Sequence, residues 1–312
     1  MIELRNVTKR YGTVTAVDDV SLTIPDGELT IVLGPSGCGK TTVLRTINRM
    51  VEVDSGEVIV DGRPIDAVPP EELRRHIGYA IQSVGLFPHM TVRRNIATVP
   101  RLLGWERARV SERVNELLDL VGLDPALYAD KRPGELSGGE AQRVGVARAL
   151  AADPPVLLMD EPFGALDPIS RERLQREFAA LHKRLGKTVV FVTHDIEEAV
   201  LLGDRIVLMR DGRIIQVGAP EELWRSPEGR FVRDFFGDEF GLRILSRHRV
   251  TDLALGPPPP DTAPQVRPET NLRDVLAIMV TESVDRVAVV SGERTLGSLT
   301  FCEVVTQVRA AT

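Results

Sequence analysis

The sequence contains a glycine-rich stretch whose residue types suit it to binding a polyphosphate. Glycines lack a Cβ atom, so several backbone N–H groups can converge on one phosphate. A lysine can reach the β- and γ-phosphates of a nucleotide, and a threonine hydroxyl can ligate Mg²⁺. A glycine-rich turn that matches by chance is the alternative. The stretch reads Gly34-Pro35-Ser36-Gly37-Cys38-Gly39-Lys40-Thr41-Thr42.

An acidic pair and a histidine later in the chain have the chemistry to complete phosphoryl transfer. Asp160 and Glu161 follow an apolar run at residues 156–159, and His194 follows another at residues 188–192. Open α/β sheets bind ligands at the carboxyl ends of their strands. We therefore expect Asp160 to hold Mg²⁺ and Glu161 to polarise the attacking water. The alternatives are a solvated acidic turn and a structural histidine.

The elements that must position these residues are typical of an α/β fold. An apolar run at residues 29–33 predicts a strand before the glycine loop, and residues 43–47 predict a helix after it. Residues 1–27 and 56–62 alternate in polarity and contain turn signals, which predicts an antiparallel β layer. Residues 66–154 are mainly helical in pattern. The strand–loop–helix context identifies the glycine stretch as a P-loop.

Two further residues have an ordinary and a functional interpretation. Ser137 with Glu140 forms a capping-box pattern, which by itself predicts only that a helix begins there. Tyr11 has the spacing of a half-buried strand residue, although a tyrosine ring can also stack on a purine.

Composition limits the class of protein. The chain has 312 residues, 43% hydrophobic and 27% charged, which suggests about two globular domains. The net charge of −6 gives no basic field for nucleic acid. Two cysteines cannot build a disulfide framework. No secretory leader or bilayer-length apolar run is expected, so a role at a membrane would require docking on other subunits.

Taken together, the motifs over about residues 1–240 resemble the ATP-binding cassette (ABC) transporter ATPases. A P-loop alone also suits kinases, GTPases or helicases, but the Ser-Gly-Gly before the acidic strand separates this family from them. The resemblance implies a P-loop NTPase fold with a mostly parallel core sheet, an antiparallel β subdomain and a helical subdomain at about residues 85–155. The matching set is GPSGCGKTT, Gln82, LSGGE, LLMDEP, Gly164-Ala165-Leu166-Asp167 and His194.

The resemblance also implies roles for single residues. It makes Tyr11 the adenine-stacking ring, Glu161 the catalytic base and His194 the residue that holds the γ-phosphate and water. Gln82 would sense Mg²⁺ or water beside Thr41 and Asp160. Two subunits would clamp each ATP head to tail, with the P-loop of one facing Ser137-Gly138-Gly139 of the other and Asp167 crossing the seam. Glu140 departs from the family, which more often has Gln.

Longer segments resemble the ATPase subunits of bacterial importers for glycine betaine, carnitine, choline and proline. These segments are residues 81–92, 95–97 and 144–155. The resemblance implies ATP hydrolysis coupled to uptake through separate integral-membrane permease subunits, fed indirectly by an extracytoplasmic solute-binding protein. The subunit would lie peripherally on the cytoplasmic face of the inner membrane. A different small solute, or a soluble non-transport ABC ATPase acting on ribosomes or DNA, is the alternative.

The tail has its own pattern. Residues 241–265 read as a linker that is proline-rich at 256–264. Residues 266–312 resemble a single cystathionine-β-synthase (CBS) repeat with β-α-β-β-α order, in which Glu303 stands where Asp is commoner. Such a repeat implies either nucleotide sensing after pairing with a second copy or a packing role.

Overall fold

The computed structural model describes residues 1–81, 85–164, 166–259, 263–292 and 294–307. The chain forms two compact units. The first comprises Met1–Asp195 with Leu202–Val217, and the second comprises Ile196–Leu201 with Gly218–Thr312. The predicted boundary between the ATPase domain and the linker at residue 240 stays a prediction. The two compact units divide elsewhere, because residues 218–240 group with the tail. Among the described helices, none is long and apolar enough to cross a bilayer.

The strands are numbered in chain order. They are β1 (Ile2–Tyr11), β2 (Val14–Ile24), β3 (Leu29–Leu33), β4 (Ser55–Val60), β5 (Arg63–Pro64), β6 (Ile77–Ala80), β7 (Val156–Asp160), β8 (Thr188–Val192), β9 (Arg205–Arg210), β10 (Arg213–Gly218), β11 (Gln265–Val266), β12 (Arg286–Ser291) and β13 (Arg294–Thr300).

The α-helices are numbered in the same way. They are α1 (Lys40–Ile47), α2 (Pro70–Arg75), α3 (Val92–Ile96), α4 (Thr98–Leu102), α5 (Arg107–Leu120), α6 (Pro125–Tyr128), α7 (Gly138–Leu150), α8 (Pro168–Leu185), α9 (Ile196–Leu202), α10 (Pro220–Arg225), α11 (Arg230–Phe236), α12 (Phe240–Ile244), α13 (Leu272–Thr281) and α14 (Phe301–Thr306).

The first unit is built on a six-stranded sheet of order β10-β9-β3-β8-β7-β6. Strand β3 is parallel to both β8 and β9, and β7 is parallel to both β6 and β8. Every residue of β3, β7 and β8 is buried, as expected for a parallel sheet covered on both faces. This arrangement confirms the predicted α/β fold with a mostly parallel core sheet.

A four-stranded sheet of order β2-β1-β4-β5 forms the predicted antiparallel layer. Its alternating residues, such as Ile2 and Leu4, share a hydrophobic core with Val32 of the parallel sheet and with Leu44 and Ile47 of α1. The helix that follows the glycine loop is therefore held by both sheets. Helices α3 to α7 supply the helical region that the sequence predicts.

The second unit contains a three-stranded sheet of order β11-β12-β13, with α13 and α14 packed against it. The order of elements is the predicted β-α-β-β-α. A separate core includes Val266, Val275 and Val287. The start of the proline-rich segment is not a free spacer, because Gly256 exchanges backbone hydrogen bonds of 2.9 and 3.1 Å with Ser298. An extended linker can pair in this way with the edge strand of a sheet, here β13, because its backbone N–H and C=O groups are not used in a helix.

Candidate functional site

Three parallel strands end side by side at one edge of the core sheet. Val192, at the end of β8, pairs with Val32 of β3 on one side and with Asp160 of β7 on the other. The glycine loop leaves β3, Glu161 follows β7, and His194 lies two residues beyond β8. The fold thus brings together the three sequence motifs at the sheet edge where ligands bind in open α/β proteins.

Close backbone contacts explain the glycines of the loop. A Cβ atom at Gly34 would lie 2.2 Å from the carbonyl oxygen of Met209, and one at Gly39 would lie 2.2 Å from that of Ala16. The φ angle is 154° at Gly34, 105° at Gly39 and 79° at Gly37. A Cβ at Gly37 would meet no described atom within 4 Å, so this side of the loop has room for a phosphate group.

Lys40 places its cation inside the loop. It is the first residue of α1 and is only 7% exposed. Its Nζ atom donates to the carbonyl oxygens of Gly34 at 2.7 Å and Pro35 at 2.9 Å. The Cys38 thiol lies 3.9 Å from the same nitrogen, and burial raises the pKa of that thiol. The ammonium group is therefore positioned within the curve of the loop, where it complements a polyphosphate.

Thr41 and Asp160 form a pair of oxygen ligands next to Lys40. The Thr41 hydroxyl donates to Asp160 Oδ1 at 3.1 Å. Asp160 is 3% exposed, and burial raises the pKa of its carboxyl group. Hydroxyl and carboxylate oxygens suit a hard cation such as Mg²⁺, which would also favour the ionised carboxylate. Among the described residues, no group of three or more His, Cys, Asp and Glu side chains is arranged to hold a metal ion.

Glu161 and His194 lie together. Nδ1 of His194 is 3.1 Å from Oε1 of Glu161, and a proton on that nitrogen makes the imidazole a donor to the carboxylate. Glu161 has a φ of 46°, in the left-handed region that is costly for a residue with a side chain. Its backbone N–H donates to the carbonyl of Val192 at 2.9 Å, which holds this conformation. A carboxylate fixed beside a histidine can accept a proton from water.

Ser137 caps α7 as the sequence predicts. The Ser137 hydroxyl accepts from the N–H of Glu140 at 3.3 Å, and Glu140 Oε2 accepts from the N–H of Ser137 at 2.7 Å. Gly138 and Gly139 follow as the first helical residues. A Cβ at Gly139 would lie 2.9 Å from Leu166, so the helix start packs against the loop after β7. The amides of a helix N-terminus and its dipole favour an anion at this position.

Asp167 occupies a second helix start. Its side chain accepts from the N–H of Ser170 at 3.0 Å and caps α8. Hydrogen bonding from Ser170 lowers the pKa of the Asp167 carboxyl group. The residue is therefore an ionised helix cap, and its place at a subunit seam stays a prediction.

The structure adds residues that the sequence did not single out. Gln142 is 3% exposed and donates to the backbone carbonyl of Glu161 at 3.1 Å, which joins the Ser137 helix to the Glu161 loop. Arg171 donates to the carbonyls of Gly164 at 3.4 Å and Leu166 at 3.1 Å. Gln142 is a polar residue on an otherwise apolar face of α7, and this feature of the sequence could have identified it as a buried hydrogen-bonding residue. Nothing in the local sequence marks Arg171.

The remaining predicted residues differ in what the structure shows of them. Tyr11 is 48% exposed at the end of β1, with Lys9 Nζ 5.6 Å from its ring centroid. Its ring is thus accessible, and adenine stacking stays a prediction. Ser36 is exposed and Thr42 is half-buried in the first turn of α1. Gln82 and Ala165 lie outside the described residues.

Comparison with known proteins decides the family. A family profile described as "ABC transporter" matches residues 17–164. The choline transport ATP-binding protein OpuBA of Bacillus subtilis is 48% identical over 99% of this chain and 80% of its own length. The glycine betaine uptake system ATP-binding protein YehX of Escherichia coli is 47% identical over 98% of this chain and 100% of its own length. The chain belongs to the ABC transporter ATP-binding subunits.

Other ABC proteins match this ABC subunit over a smaller part of its length. The spermidine/putrescine import ATP-binding protein PotA of Aggregatibacter actinomycetemcomitans is 47% identical over 79% of this chain and 66% of its own length. The bacterial ABC transporter cassette MJ0796, solved as a dimer, is 36% identical with a TM-score of 0.66 over 70% of this chain and 98% of its own. The same cassette has been solved after hydrolysis with ADP and Pi. The predicted family and ATP binding are confirmed.

Proposed function

We propose that this ABC subunit hydrolyses ATP to power import of a quaternary amine or other osmoprotectant through a separate permease. The class of solute comprises glycine betaine, carnitine, choline and proline. The observation that carries the proposal is the extent of the matches. The choline and glycine betaine subunits align with 98–99% of this chain, whereas the polyamine subunit aligns with 79% at similar identity.

The P-loop residues would bind the phosphates of ATP. The loop amides and Lys40 lie where they can surround the β- and γ-phosphates, and α1 directs its N-terminus at the same point. Thr41 and Asp160 would hold Mg²⁺, which neutralises phosphate charge when it is bound. Tyr11 offers an exposed ring for the adenine.

Glu161 would act as the general base. Its carboxylate takes a proton from the attacking water, and the 3.1 Å contact with His194 keeps the carboxylate and the imidazole in fixed relative positions. His194 is 64% exposed at its side chain, so its Nε2 remains able to contact the γ-phosphate or the water. Gln82 completes the proposed set as a sensor of Mg²⁺ or water.

Two copies of the chain would close around ATP. The start of α7 would present the amides of Gly138 and Gly139 and the hydroxyl of Ser137 to the γ-phosphate bound by the other copy. Asp167 would lie at the seam between the copies. The dimeric cassette MJ0796 supports this arrangement, which we carry to this chain as a proposal.

A groove in the first unit would receive the permease. The groove is lined by both apolar and basic side chains. Met50 and Phe87 on its walls are 52% and 40% exposed, and the buried Oδ1 of Asn48 has no partner among the described residues. Asn95 fixes the wall segment, accepting from the N–H of Phe87 at 2.8 Å and donating to the carbonyl of Met90 at 3.2 Å. A rigid, partly apolar groove suits a short amphipathic helix.

This docking would place the subunit peripherally on the cytoplasmic face of the inner membrane. An extracytoplasmic solute-binding protein would act only through the permease, and nucleic acid would not be a partner.

We retain residues 1–240 as the ATPase domain, 241–265 as a linker and 266–312 as a single CBS-like repeat. Calorimetry with adenine nucleotides and cyclic dinucleotides tests whether the CBS-like repeat senses a nucleotide. If neither class of ligand binds, a packing role is left for the tail.

The decisive experiment is solute uptake. The chain would be expressed with its operon neighbours in a strain that lacks osmoprotectant uptake, and labelled glycine betaine, carnitine, choline, proline and spermidine would be compared. We expect uptake of at least one of glycine betaine, carnitine, choline and proline, and loss of that uptake with Glu161→Gln. Uptake of spermidine alone would overturn the solute class. Hydrolysis of ATP by a chain that copurifies with ribosomes, without a permease, would favour a non-transport ABC ATPase.

A further inference from the structure

Glu140 stands at the start of α7 with both carboxylate oxygens engaged. Oε2 accepts from the backbone N–H of Ser137 at 2.7 Å, and Oε1 accepts from the Tyr128 hydroxyl at 2.7 Å. The first contact belongs to the capping box. The second comes from another helix, α6, and is not required for capping. It therefore needs its own explanation.

The position of Tyr128 is fixed independently of Glu140. Its backbone N–H bonds the carbonyl of Asp124 at 3.0 Å, within the short helix α6. The carbonyls of Ala129 and Lys131, which follow it, accept from backbone N–H groups of α3 at 2.8 Å each. The Lys131 ammonium lies 4.2 Å from the centroid of the Tyr128 ring. The hydroxyl is thus presented from a segment that is hydrogen-bonded to α3.

An unrestrained carboxylate at this point would interfere with anion binding. Glu140 lies within the first turn of α7, whose amides and dipole attract negative charge. A mobile carboxylate would compete for the amides of Gly138 and Gly139 and would repel a phosphate nearby. The Tyr128 hydrogen bond holds one oxygen of the carboxylate, and it also lowers the pKa of Glu140, so the group stays ionised and in place.

We propose that Tyr128 is a positioning residue that holds the Glu140 carboxylate away from the anion-binding face of the α7 N-terminus. The inference rests on the proposed ATP-bridged dimer, in which this helix start meets the γ-phosphate of the other copy. Tyr128 itself does not touch the nucleotide. Its effect should appear in the ATP concentration needed for dimer closure rather than in the rate of the chemical step.

The test is a double-mutant cycle on ATP-driven dimerisation of the full chain. Light scattering would measure the ATP concentration that gives half-maximal dimerisation. The Glu161→Gln background is used because it removes turnover, so that the measurement reports binding alone. We expect Tyr128→Phe to raise this concentration about 5- to 10-fold when residue 140 is Glu, but less than about 2-fold when Glu140→Gln is also present. In the hydrolytically active chain, Tyr128→Phe should change kcat by less than about 2-fold while KM for ATP rises.

A matched charge control uses Glu135, whose carboxylate caps the preceding turn by accepting from the N–H of Arg132 at 2.6 Å. In a Glu135→Gln background, the effect of Tyr128→Phe should persist in full. Raised salt should reduce the effect, because repulsion between the carboxylate and the phosphate is screened. An equal effect of Tyr128→Phe with Glu or Gln at position 140 would assign a purely structural role to the tyrosine, and no effect at all would also overturn the inference.

The proposed function and this inference fail in different ways. If the Glu161→Gln chain forms no dimer at any ATP concentration, the proposed clamp is wrong. If it dimerises normally and the two positions are not coupled, the clamp stands and the role of Tyr128 is wrong.

Discussion

Glu161 Oε1 and His194 Nδ1 lie 3.1 Å apart, although 33 positions separate the two residues in the chain. The contact exists because β7 and β8 are parallel neighbours whose carboxyl ends coincide. It joins a proton acceptor to a residue that can orient water or phosphate.

Replacing Glu161 with Gln should retain ATP binding and lower turnover at least about 100-fold, because an amide cannot accept the proton of water. Phosphate release under saturating ATP measures turnover, and fluorescent-nucleotide titration measures binding. Glu112→Gln is the matched control, since Glu112 is exposed on α5. Hydrolysis at the unaltered rate by the Glu161 variant would show that the base is a different residue.

Lys40→Ala should weaken ATP binding at least about 100-fold, because the buried ammonium lies inside the phosphate loop. The change also removes the donor to the carbonyls of Gly34 and Pro35, so circular dichroism must show that the fold is retained. Lys183→Ala, at an exposed position of α8, serves as the control. Unchanged affinity in a folded Lys40 variant would contradict the phosphate assignment.

Thr41→Val should raise the Mg²⁺ concentration needed for half-maximal hydrolysis at least about 10-fold, because the hydroxyl next to Asp160 is lost at nearly constant volume. Thr41→Ser keeps a hydroxyl and should stay within about 3-fold of the unaltered chain. The measurement is an ATPase titration with MgCl₂ at fixed ATP. Equal Mg²⁺ dependence of the Val and Ser variants would place the metal elsewhere.

Glu221 should make the second unit sensitive to acid. The neighbouring His248 imidazole and the Arg247 guanidinium, whose Nε lies 3.0 Å away, lower the pKa of Glu221 from 4.5 to about 2. Because the folded pKa is the lower one, the stabilisation is present above about pH 4.5 and is lost as the pH falls towards 2. It amounts to about 3 kcal/mol at most.

Glu221→Gln should therefore lower the free energy of unfolding at pH 7 by about 2 kcal/mol, with the difference from the unaltered chain shrinking below pH 4. Denaturant unfolding followed by Trp224 fluorescence in a Trp105→Phe background reports on the second unit. The exposed Glu269→Gln is the control. A difference between the chains that stays constant from pH 7 to pH 3 would exclude this ion pair as its cause.

The local sequence was sufficient to predict the elements that depend on near neighbours. The glycine loop, the buried strands around it and the Ser137–Glu140 capping box all follow from residues a few positions apart, whose backbone needs and polarity are visible in the chain. The antiparallel layer and the order of elements in the tail were predicted for the same reason. Gln82 was predicted from its place in a family pattern and lies outside the described residues.

Tertiary structure alone decided which distant side chains meet. The contacts of Tyr128 with Glu140 and of Gln142 with the Glu161 carbonyl join different elements, so no periodicity encodes them. The sequence showed Glu140 as a member of the capping box and as a departure from the usual Gln, but it could not reveal the hydroxyl that holds this carboxylate. Spacing along a chain specifies helices and strands, whereas the register between packed elements determines which polar atoms come within hydrogen-bonding distance.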